Sequence, residues 1–425
     1  MIHVIRNARL RGREGTFDVA LEGDRIAAVE QTVEASAEQE YDASGNLLVP
    51  GFVNAHQHLD KCMLGDVMRP NRSQTLQEAI EITWEHKRRY TVDSIVARAD
   101  LVLRTAICNG TTALRAFADV DTVGGLTPVK ALLELKRRYA GLIDLQIVAF
   151  PQEAIVRDPG CAALMEQAMA LGADVVGGLP WYERLDRHVH DHVDFCLELA
   201  ERTGKDVHML ADDTDDPTSR SLEYLAVRTI ETGFQGRVTA SHCGALAAYD
   251  DAHAARVISI VREAEVSICS NTHISLVLDG RADRGLVRRG ITRVRELLEA
   301  GVNVICAQDD VNDPYYPFGK PDQLEVAQYA AHVAQLTYPS QLDDVLDMVS
   351  TNAARAMRLE GYGLEPGDRA DLVVLGDPSV REALRLLSPR RFVFHGGRLV
   401  AESRLESVLH AQAAPVGSAA SAAQA

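Results

Sequence analysis

Short apolar runs alternate with longer segments of helical spacing through the middle of the chain. The first run, 47–49, is broken by Pro50 and Gly51 and leads into a strand that ends at His58. The segments between the runs carry apolar residues three and four positions apart, among Ala, Leu, Glu and Arg. The later runs span 111–117, 145–150, 174–179, 206–210, 237–242, 267–271 and 303–309, and the clearest helical segments span 75–87, 128–139, 193–203 and 287–300.

Eight strand and helix repeats predict an α/β fold, a (β/α)8 TIM-like barrel of parallel strands, which we place at residues 49–360. In such a barrel the chemistry lies at the C-terminal ends of the strands. An open doubly wound sheet is the alternative, but the glycine-rich G-x-G-x-x-G turn is missing after the first strand.

Both ends of the chain show short alternating strands that cannot form a core alone. We therefore predict that 1–48 and 361–411 combine into one small β-sandwich domain, with Gly396 and Gly397 as a hairpin turn. The tail 412–425 is mostly Ala, Ser and Gln, which predicts disorder. The strands predicted at the two ends are 2–5, 17–21, 26–29, 370–375, 391–394 and 398–400.

Composition narrows the classes of partner. The 425 residues carry 44 Lys and Arg against 61 Asp and Glu, a formal charge of -17, and no basic cluster stands out. We therefore expect no nucleic-acid partner and no membrane partner. The 7 Cys are scattered without a C-x-x-C pair, which is typical of a reducing compartment. With no signal-like start and no apolar run of about 18 residues, we expect a cytoplasmic protein, and we also expect a homo-oligomer.

Histidine and aspartate recur at the predicted strand ends. His56 and His58 are two apart on one strand, so both side chains point to the same side. A barrel would bring them together with His208, His242 and the pair Asp309 and Asp310, although each of these residues alone is more often structural. His and carboxylate groups in this number can hold one divalent ion and leave room for a water. The sequence therefore predicts a metal site at the barrel mouth.

The same residues resemble the amidohydrolase superfamily of metal-dependent barrels, over most of residues 45–380. Within it, the chain is most similar to the cytosine deaminase-like subgroup and to relatives that act on triazines, such as N-isopropylammelide isopropylaminohydrolases. The H-x-E and P-C-x-x-C pattern of the base-editing zinc deaminases is absent. The resemblance rests on His56-x-His58 and on the stretches IDLQIVAFPQE at 143–153, VTASH at 238–242, RGITRV at 289–294 and DDVNDPYYP at 309–317.

The resemblance implies a hydrolase in which metal-activated water attacks a ring carbon bearing an amino or alkylamino group. It implies one divalent ion per chain, zinc or iron, bound by His56, His58, His208 and Asp309. The catalytic residues that it implies, besides Asp309 itself, are His242, which would orient or deprotonate the water, and Asp310, which would hold the adduct or move protons.

Four further residues are predicted to bind the substrate, a small nitrogen heterocycle. Gln152 matches the residue that reads the pyrimidine edge in the family, and Lys61 offers a cation for a substrate oxygen. Trp181 and Tyr315 follow the fourth and eighth strands and offer faces for a flat ring. The alternative for Gln152 and Lys61 is an ordinary loop role, and the alternative for the two aromatic residues is closure of a core edge.

Three other functions stay open from the sequence: cytosine deaminase proper, a cyclic-amide hydrolase of the dihydropyrimidinase kind, and a non-catalytic scaffold. The cyclic-amide hydrolases use a bridging Lys, and 145–150 and 174–179 contain none. Cytosine deaminases carry a proton-shuttling Glu three residues after the fifth-strand His, where this chain has Ala211. We therefore expect cytosine to be a poor substrate unless Asp212 or Asp213 replaces that Glu.

Overall fold

The N-terminal segment forms the first half of a small β domain. The structure is a computed structural model that describes residues 2–34, 36–73, 75–281, 284 and 291–410. The first strand pairs antiparallel with the second and parallel with the fourth and fifth. These strands are β1 (Ile2–Leu10), β2 (Phe17–Glu22), β3 (Arg25–Glu30), β4 (Gln39–Asp42) and β5 (Leu47–Pro50).

Eight parallel strands follow in chain order around a barrel, as the sequence predicted. All residues of the first two are buried, which is typical of parallel strands that are covered on both faces. The strands are β6 (Phe52–His58), β7 (Thr111–Asp119), β8 (Asp144–Phe150), β9 (Val175–Gly178), β10 (Asp206–Ala211), β11 (Val238–His242), β12 (Ser267–Ser270) and β13 (Val304–Cys306).

Helices connect the barrel strands and cover them from outside. Gly204 and Gly233, both in the left-handed conformation, end the fifth and sixth helices. The helices up to the barrel's end are α1 (Leu76–Lys87), α2 (Val92–Cys108), α3 (Thr127–Arg138), α4 (Cys161–Leu171), α5 (Asp186–Thr203), α6 (Ser221–Thr232), α7 (Ala245–Ala248), α8 (Asp251–Glu263), α9 (Thr272–Leu278), α10 (Val294–Glu299), α11 (Gln323–Val333), α12 (Leu342–Asp347) and α13 (Thr351–Ala356), with single 3-10 turns at Pro180–Tyr182 and Pro339–Gln341.

The C-terminal segment completes the small β domain. Its strands are β14 (Leu372–Leu375), β15 (Arg390–His395) and β16 (Arg398–Glu402). They extend the sheet in the order β16, β15, β14, β5, β1, β2, β3, so both chain ends share one sheet that is separate from the barrel. Residues from both parts, such as Ile5, Leu48, Val374 and Phe394, pack into one buried cluster. One helix, α14 (Val380–Leu386), lies between β14 and β15.

The barrel closes between β6 and the segment after β13. The backbone N–H of His58 donates to Asp309 O and the N–H of Asp309 donates to His56 O, each at 2.9 Å. The Gln57 side chain adds a hydrogen bond from Nε2 to Asp309 O at 2.7 Å. Closure of the barrel therefore places two histidines and an aspartate of the predicted metal site beside one another.

Several sequence expectations differ in detail from the structure. The break at Pro50 and Gly51 separates two strands, because β5 pairs with β1 and β14 in the small sheet while β6 begins the barrel. Helix α5 begins earlier than the predicted 193–203, since its first turns are polar and hide the apolar period. Residues 287–290 of the predicted helix 287–300 and the tail 412–425 lie outside the described residues. The domain boundaries stay a prediction.

Candidate active site

The end of β6 and the segment after β13 bring three possible ligand atoms together. His56 Nε2 lies 3.3 Å from His58 Nε2, and Asp309 Oδ1 lies 3.1 Å from the first and 3.4 Å from the second. Burial lowers the pKa of both imidazoles well below the usual value, with a smaller effect of the Lys61 charge, so both are neutral. Three electron-rich atoms thus face one another inside the barrel mouth.

This arrangement fits a divalent ion. Ligand atoms about 2.0–2.1 Å from a tetrahedral zinc ion are about 3.3 Å from each other, which is the spacing between these three atoms. His56 Nδ1 lies 2.7 Å from Ser241 Oγ, and a hydrogen bond from Nδ1 to that hydroxyl leaves the Nε2 lone pair free. Lone pairs at this distance repel unless a cation lies between them. The donor set therefore makes this group a candidate metal site.

His208 lies beside this group but is held by other partners. Its Nε2 is 2.6 Å from Ser241 Oγ, and its Nδ1 accepts a hydrogen bond from the fully buried Arg115 at 3.2 Å. Binding of an ion by His208 Nε2 therefore requires that nitrogen to leave Ser241. The role of His208 as a fourth ligand stays a prediction.

His242 lies next to the proposed ligands, at the end of β11. Its Nε2 is 3.4 Å from Asp309 Oδ2 and 3.0 Å from Asn271 Nδ2. Burial lowers the pKa of His242 to about 4, although Asp309 acts in the opposite direction. A neutral imidazole in this place can accept a proton.

Two of these residues have unusual backbone conformations. His242 and Asp309 have φ angles of 67° and 65°, in the left-handed region that residues other than glycine rarely adopt. Such conformations cost about 1–3 kcal/mol each and occur preferentially at functional sites. In this chain the two residues are neighbours in the mouth, with His242 Nε2 3.4 Å from Asp309 Oδ2.

Carboxyl groups around the mouth are shifted toward neutrality. Burial, and next the negative charge of Asp309, raise the pKa of Asp310 and of Asp213 to about 8. Burial also raises the pKa of Asp309 to about 6, against the effect of His242. Asp310 Oδ1 is buried and has no hydrogen-bond partner among the described residues. A positive ion in the mouth would stabilise the charged form of these groups.

A cavity opens directly above the His and Asp cluster. It encloses about 520 Å³ of empty space, part of it open to solvent. Its walls are mainly apolar and aromatic, which is typical of sites for small molecules. The cavity is lined by His58, Lys61, Ile80, Gln152, Leu179, Trp181, Tyr182, Leu210, Asp213, His242, Ile274, Leu278, Asp309, Asp310 and Tyr315.

The Lys61 ammonium group fixes the amide of Gln152. Lys61 Nζ donates to Gln152 Oε1 at 2.6 Å and to Asp119 Oδ1 at 3.1 Å. Although burial acts in the opposite direction, the nearby carboxylates of Asp119 and Asp60 raise the pKa of Lys61, so it remains charged. Because the Gln152 oxygen is engaged, its NH₂ group is left to donate into the cavity.

The two aromatic residues singled out in the sequence line the same cavity. Trp181 lies in the turn after β9. Glu183 holds this turn in place, since its carboxylate accepts hydrogen bonds from the backbone N–H groups of Ile155 and Val156 at 2.9 and 2.8 Å. Tyr315 is beside Lys61, whose Nζ lies 5.5 Å from the centre of the ring. Tyr315 OH and Trp181 Nε1 are buried and lack hydrogen-bond partners among the described residues.

The sequence reasoning missed several residues that hold the site together. Ser241 lies between His56 and His208, Asn271 lies between His242 and Asp309, and Asp119 accepts hydrogen bonds from Lys61. Asp119 ends β7 and Asn271 follows β12, so a search of every predicted strand end for polar residues would have found both. Arg115 lies within a strand, and no local pattern in the sequence indicates it.

Comparison with known proteins identifies the family of the chain. The sequence pattern of the amidohydrolase family matches residues 95–401. The chain is 31% identical to N-isopropylammelide isopropyl amidohydrolase of Pseudomonas sp., over 95% of this chain and 98% of that protein. No helix among the described residues has the length and apolar character needed to cross a membrane.

Two solved structures are similar over nearly the whole chain. The 5-methylcytosine deaminase of Klebsiella pneumoniae, liganded with 5-fluorocytosine, is 36% identical with a TM-score of 0.91, covering 96% of this chain and 99% of its own. The N-isopropylammelide isopropylaminohydrolase of Burkholderia multivorans is 30% identical with a TM-score of 0.82, covering 95% and 98%. The chain therefore belongs to the amidohydrolase family.

Proposed function

We propose that this enzyme hydrolyses the bond between a nitrogen heterocycle and an exocyclic amino or alkylamino group. The observation that carries the proposal is one cavity with a metal-type cluster on its floor and hydrogen-bond donors on its wall. Two relatives that cover 95% and 96% of the chain are named for reactions of this class, on ammelide and methylcytosine rings. The products are a ring carbonyl and a free amine.

The proposed ligands of one divalent ion are His56, His58, His208 and Asp309. When bound, such an ion lowers the pKa of a water molecule and supplies a nucleophile at neutral pH. His242 and Asp310 are the groups for proton movement, since both line the cavity beside Asp309. Zinc and iron both suit two or three imidazoles and a carboxylate.

The donors on the cavity wall support a proposal for the ring. The Lys61 ammonium and the Gln152 NH₂ group are both donors, so they favour a ring edge that carries a carbonyl or an anionic oxygen. Trp181 and Tyr315 provide aromatic surfaces for the flat ring. We therefore propose an oxo-substituted aminotriazine or aminopyrimidine as the substrate.

The cellular setting is also a proposal. All 7 cysteines are free, and Cys108 is the exposed one among them, which fits a reducing cytoplasm. A homo-oligomer stays a prediction, and light scattering of the purified protein measures the subunit number.

A substrate panel tests the proposed function. Aminopyrimidines, aminotriazines, their alkylamino forms and cyclic ureas are incubated with zinc-loaded or iron-loaded enzyme, and released amine is measured. We expect release from oxo-substituted aminotriazines or aminopyrimidines and none with Asp310→Asn, which controls for contaminating enzymes. Ring opening of the cyclic ureas without amine release would instead identify a cyclic-amide hydrolase.

A further inference from the structure

Two buried amide side chains of β6 lie close to the candidate metal site. Asn54 and Gln57 are 1% and 0% exposed, and neither lines the cavity. Gln57 stands between the proposed ligands His56 and His58, and adjacent residues on a strand point to opposite sides. Gln57 can therefore act on the site only through another residue.

The direction of the Gln57 amide follows from a backbone donor. The N–H of Gln308 donates to Asn54 Oδ1 at 3.2 Å, and a backbone N–H can only donate, so the Asn54 atom in this place is its oxygen. The Asn54 amide nitrogen consequently faces Gln57 and donates from Nδ2 to Gln57 Oε1 at 3.0 Å. Gln57 Nε2 is left to donate to Asp309 O, at 2.7 Å.

The backbone of Asp309 has a conformation that its neighbours must impose. A residue other than glycine with a φ angle of 65° is strained, and such strain persists only where the surrounding structure compels it. The N–H of Asp309 donates to His56 O, and its carbonyl oxygen accepts from His58 N. These two hydrogen bonds come from the backbone of β6, and the third comes from the Gln57 side chain.

The two ends of Asp309 have different partners. Its carboxylate oxygen Oδ1 lies 3.1 Å from His56 Nε2 and 3.4 Å from His58 Nε2, whereas its carbonyl oxygen meets Gln57 Nε2. A rotation about φ or ψ of Asp309 would move the carboxylate relative to the carbonyl. A side chain that fixes the carbonyl therefore helps to fix the carboxylate.

A second buried glutamine joins the same two strands at another level. Gln323 is 1% exposed, and its Nε2 lies 3.2 Å from Val53 O on β6 and 3.4 Å from Cys306 O on β13. It contributes to closure of the barrel without contact to a proposed metal ligand. Gln323 thus provides a matched control for a purely structural role of Gln57.

We propose that Gln57 is a positioning residue, which holds Asp309 in the conformation in which its carboxylate binds the metal ion. The inference rests on the metal site of the proposed function. It gives Gln57 no proton transfer and no contact with substrate. Loss of the Gln57 donor is therefore expected to weaken metal binding, while KM of the metal-saturated enzyme stays unchanged.

The test compares Gln57→Met with Gln323→Met, since both substitutions keep the length of the side chain and remove its amide. Competition with a chromophoric chelator measures zinc affinity, and denaturant unfolding of the same metal-free samples measures stability. Gln57→Met is expected to bind zinc about 10- to 100-fold more weakly than the wild type, the usual loss when a partner of a metal ligand is removed. Gln323→Met is expected to keep the wild-type affinity even where it loses as much stability.

Asn54→Ala tests the same network if Gln57→Met does not fold. This variant keeps Gln57 but removes the group that directs its amide, so zinc affinity is expected to fall by about threefold or more, the effect of one hydrogen bond. In that case a zinc affinity of Asn54→Ala equal to that of the wild type overturns the inference.

Two outcomes for Gln57→Met overturn the inference. One is an unchanged zinc affinity, and the other is a loss of affinity that Gln323→Met shares in full, which would make the effect one of barrel closure. Either outcome leaves the proposed metal site standing. Wild-type protein that binds no zinc refutes that site together with the inference, whereas a substrate panel without amine release refutes the proposed reaction and leaves the zinc measurements to decide the role of Gln57.

Discussion

At the scale of single residues, the orientation of the His and Asp side chains in the site depends on hydrogen bonds from neighbouring polar residues. Asn271 contacts both His242 and Asp309, and Ser241 contacts both His56 and His208. Such outer contacts set the tautomer and the direction of each imidazole. The chemistry of the mouth therefore depends on two polar residues that do not line the cavity.

His242→Asn separates proton transfer from metal binding. Because His242 lies outside the proposed ligand set, the variant is expected to keep its metal while kcat falls by about 100-fold or more. Metal analysis and steady-state kinetics on the same sample measure both quantities. Loss of metal in proportion to activity would instead make His242 a ligand.

Gln152→Leu tests the donor edge of the cavity. The variant retains the size of the side chain but removes the NH₂ donor, so we expect KM for the preferred substrate to rise by about tenfold, equivalent to about 1.4 kcal/mol. The effect on kcat is expected to be smaller, since Gln152 is not among the groups that move protons. An unchanged KM would contradict the assignment of Gln152 to the substrate edge.

Some site residues could be predicted from the sequence and others could not. The pair His56 and His58 was predictable because residues two apart on a strand share a side, and the 3.3 Å between their Nε2 atoms agrees with this. Asp212 and Asp213 could not be told apart from the sequence. Asp212 accepts hydrogen bonds from the first two backbone N–H groups of α6, whereas Asp213 lines the cavity. This difference depends on where the loop after β10 turns. The role of Arg115 could not be predicted from the sequence, since its hydrogen-bond partners lie on other strands.

At the scale of elements, helix α1 is fastened over the mouth by a buried ion-pair network. Lys87, at the end of α1, is fully buried, and its Nζ lies 2.7 Å from both Asp119 Oδ2 and Asp121 Oδ2. Asp119 also pairs with Lys61, which holds Gln152. Ile80 of α1 lines the cavity. The Asp119 carboxylate therefore links the position of helix α1 to the position of the Gln152 amide.

Lys87→Met is expected to destabilise the fold strongly. Removing one partner of a buried ion pair leaves uncompensated carboxylates, which costs about 3–5 kcal/mol. Denaturant unfolding measures the loss, with Arg104→Ala as the matched control, because the Arg104 and Asp100 pair on α2 is exposed and is worth less than about 1 kcal/mol. Equal effects of the two substitutions would show that the buried network contributes little to stability.

The element scale was the most predictable from sequence. Apolar runs bounded by Gly and Pro gave the barrel strands, because parallel strands covered on both faces are apolar throughout. The strand β4 and the assignment of β5 to the small sheet were not recognised. Both depend on pairing with β1, whose partners are distant in the chain.

At the scale of the whole molecule, charged groups join the small β domain to the barrel. Arg369 contacts Asp144 Oδ2, on β8, at 2.8 Å and Asp371 Oδ2, just before β14, at 2.9 Å. His395, at the end of β15, lies 3.1 Å from Asp371 Oδ1. Burial alone would raise the pKa of Asp371. The hydrogen bond and the charge of His395 outweigh burial, so the pKa of Asp371 is lowered overall.

The lowered pKa of Asp371 predicts that the contact between the small β domain and the barrel weakens in acid. A carboxyl whose pKa is lower in the folded state stabilises the fold above its unfolded pKa of about 3.9, and that contribution is lost as the pH falls through the folded value. Melting temperatures measured from about pH 6 downward are expected to fall less steeply in Asp371→Asn than in the wild type. Parallel curves for the two proteins would contradict this.

The most direct test of the whole account measures the metal content of the enzyme and its rate of amine release on the same samples. The account predicts one divalent ion per wild-type chain, loss of amine release on chelation, and recovery on adding back one equivalent of zinc or iron. Asp309→Ala and His208→Ala are expected to remain folded, to bind no ion and to stay inactive under the same treatment. Metal-free wild-type protein that releases amine at an undiminished rate would contradict the account.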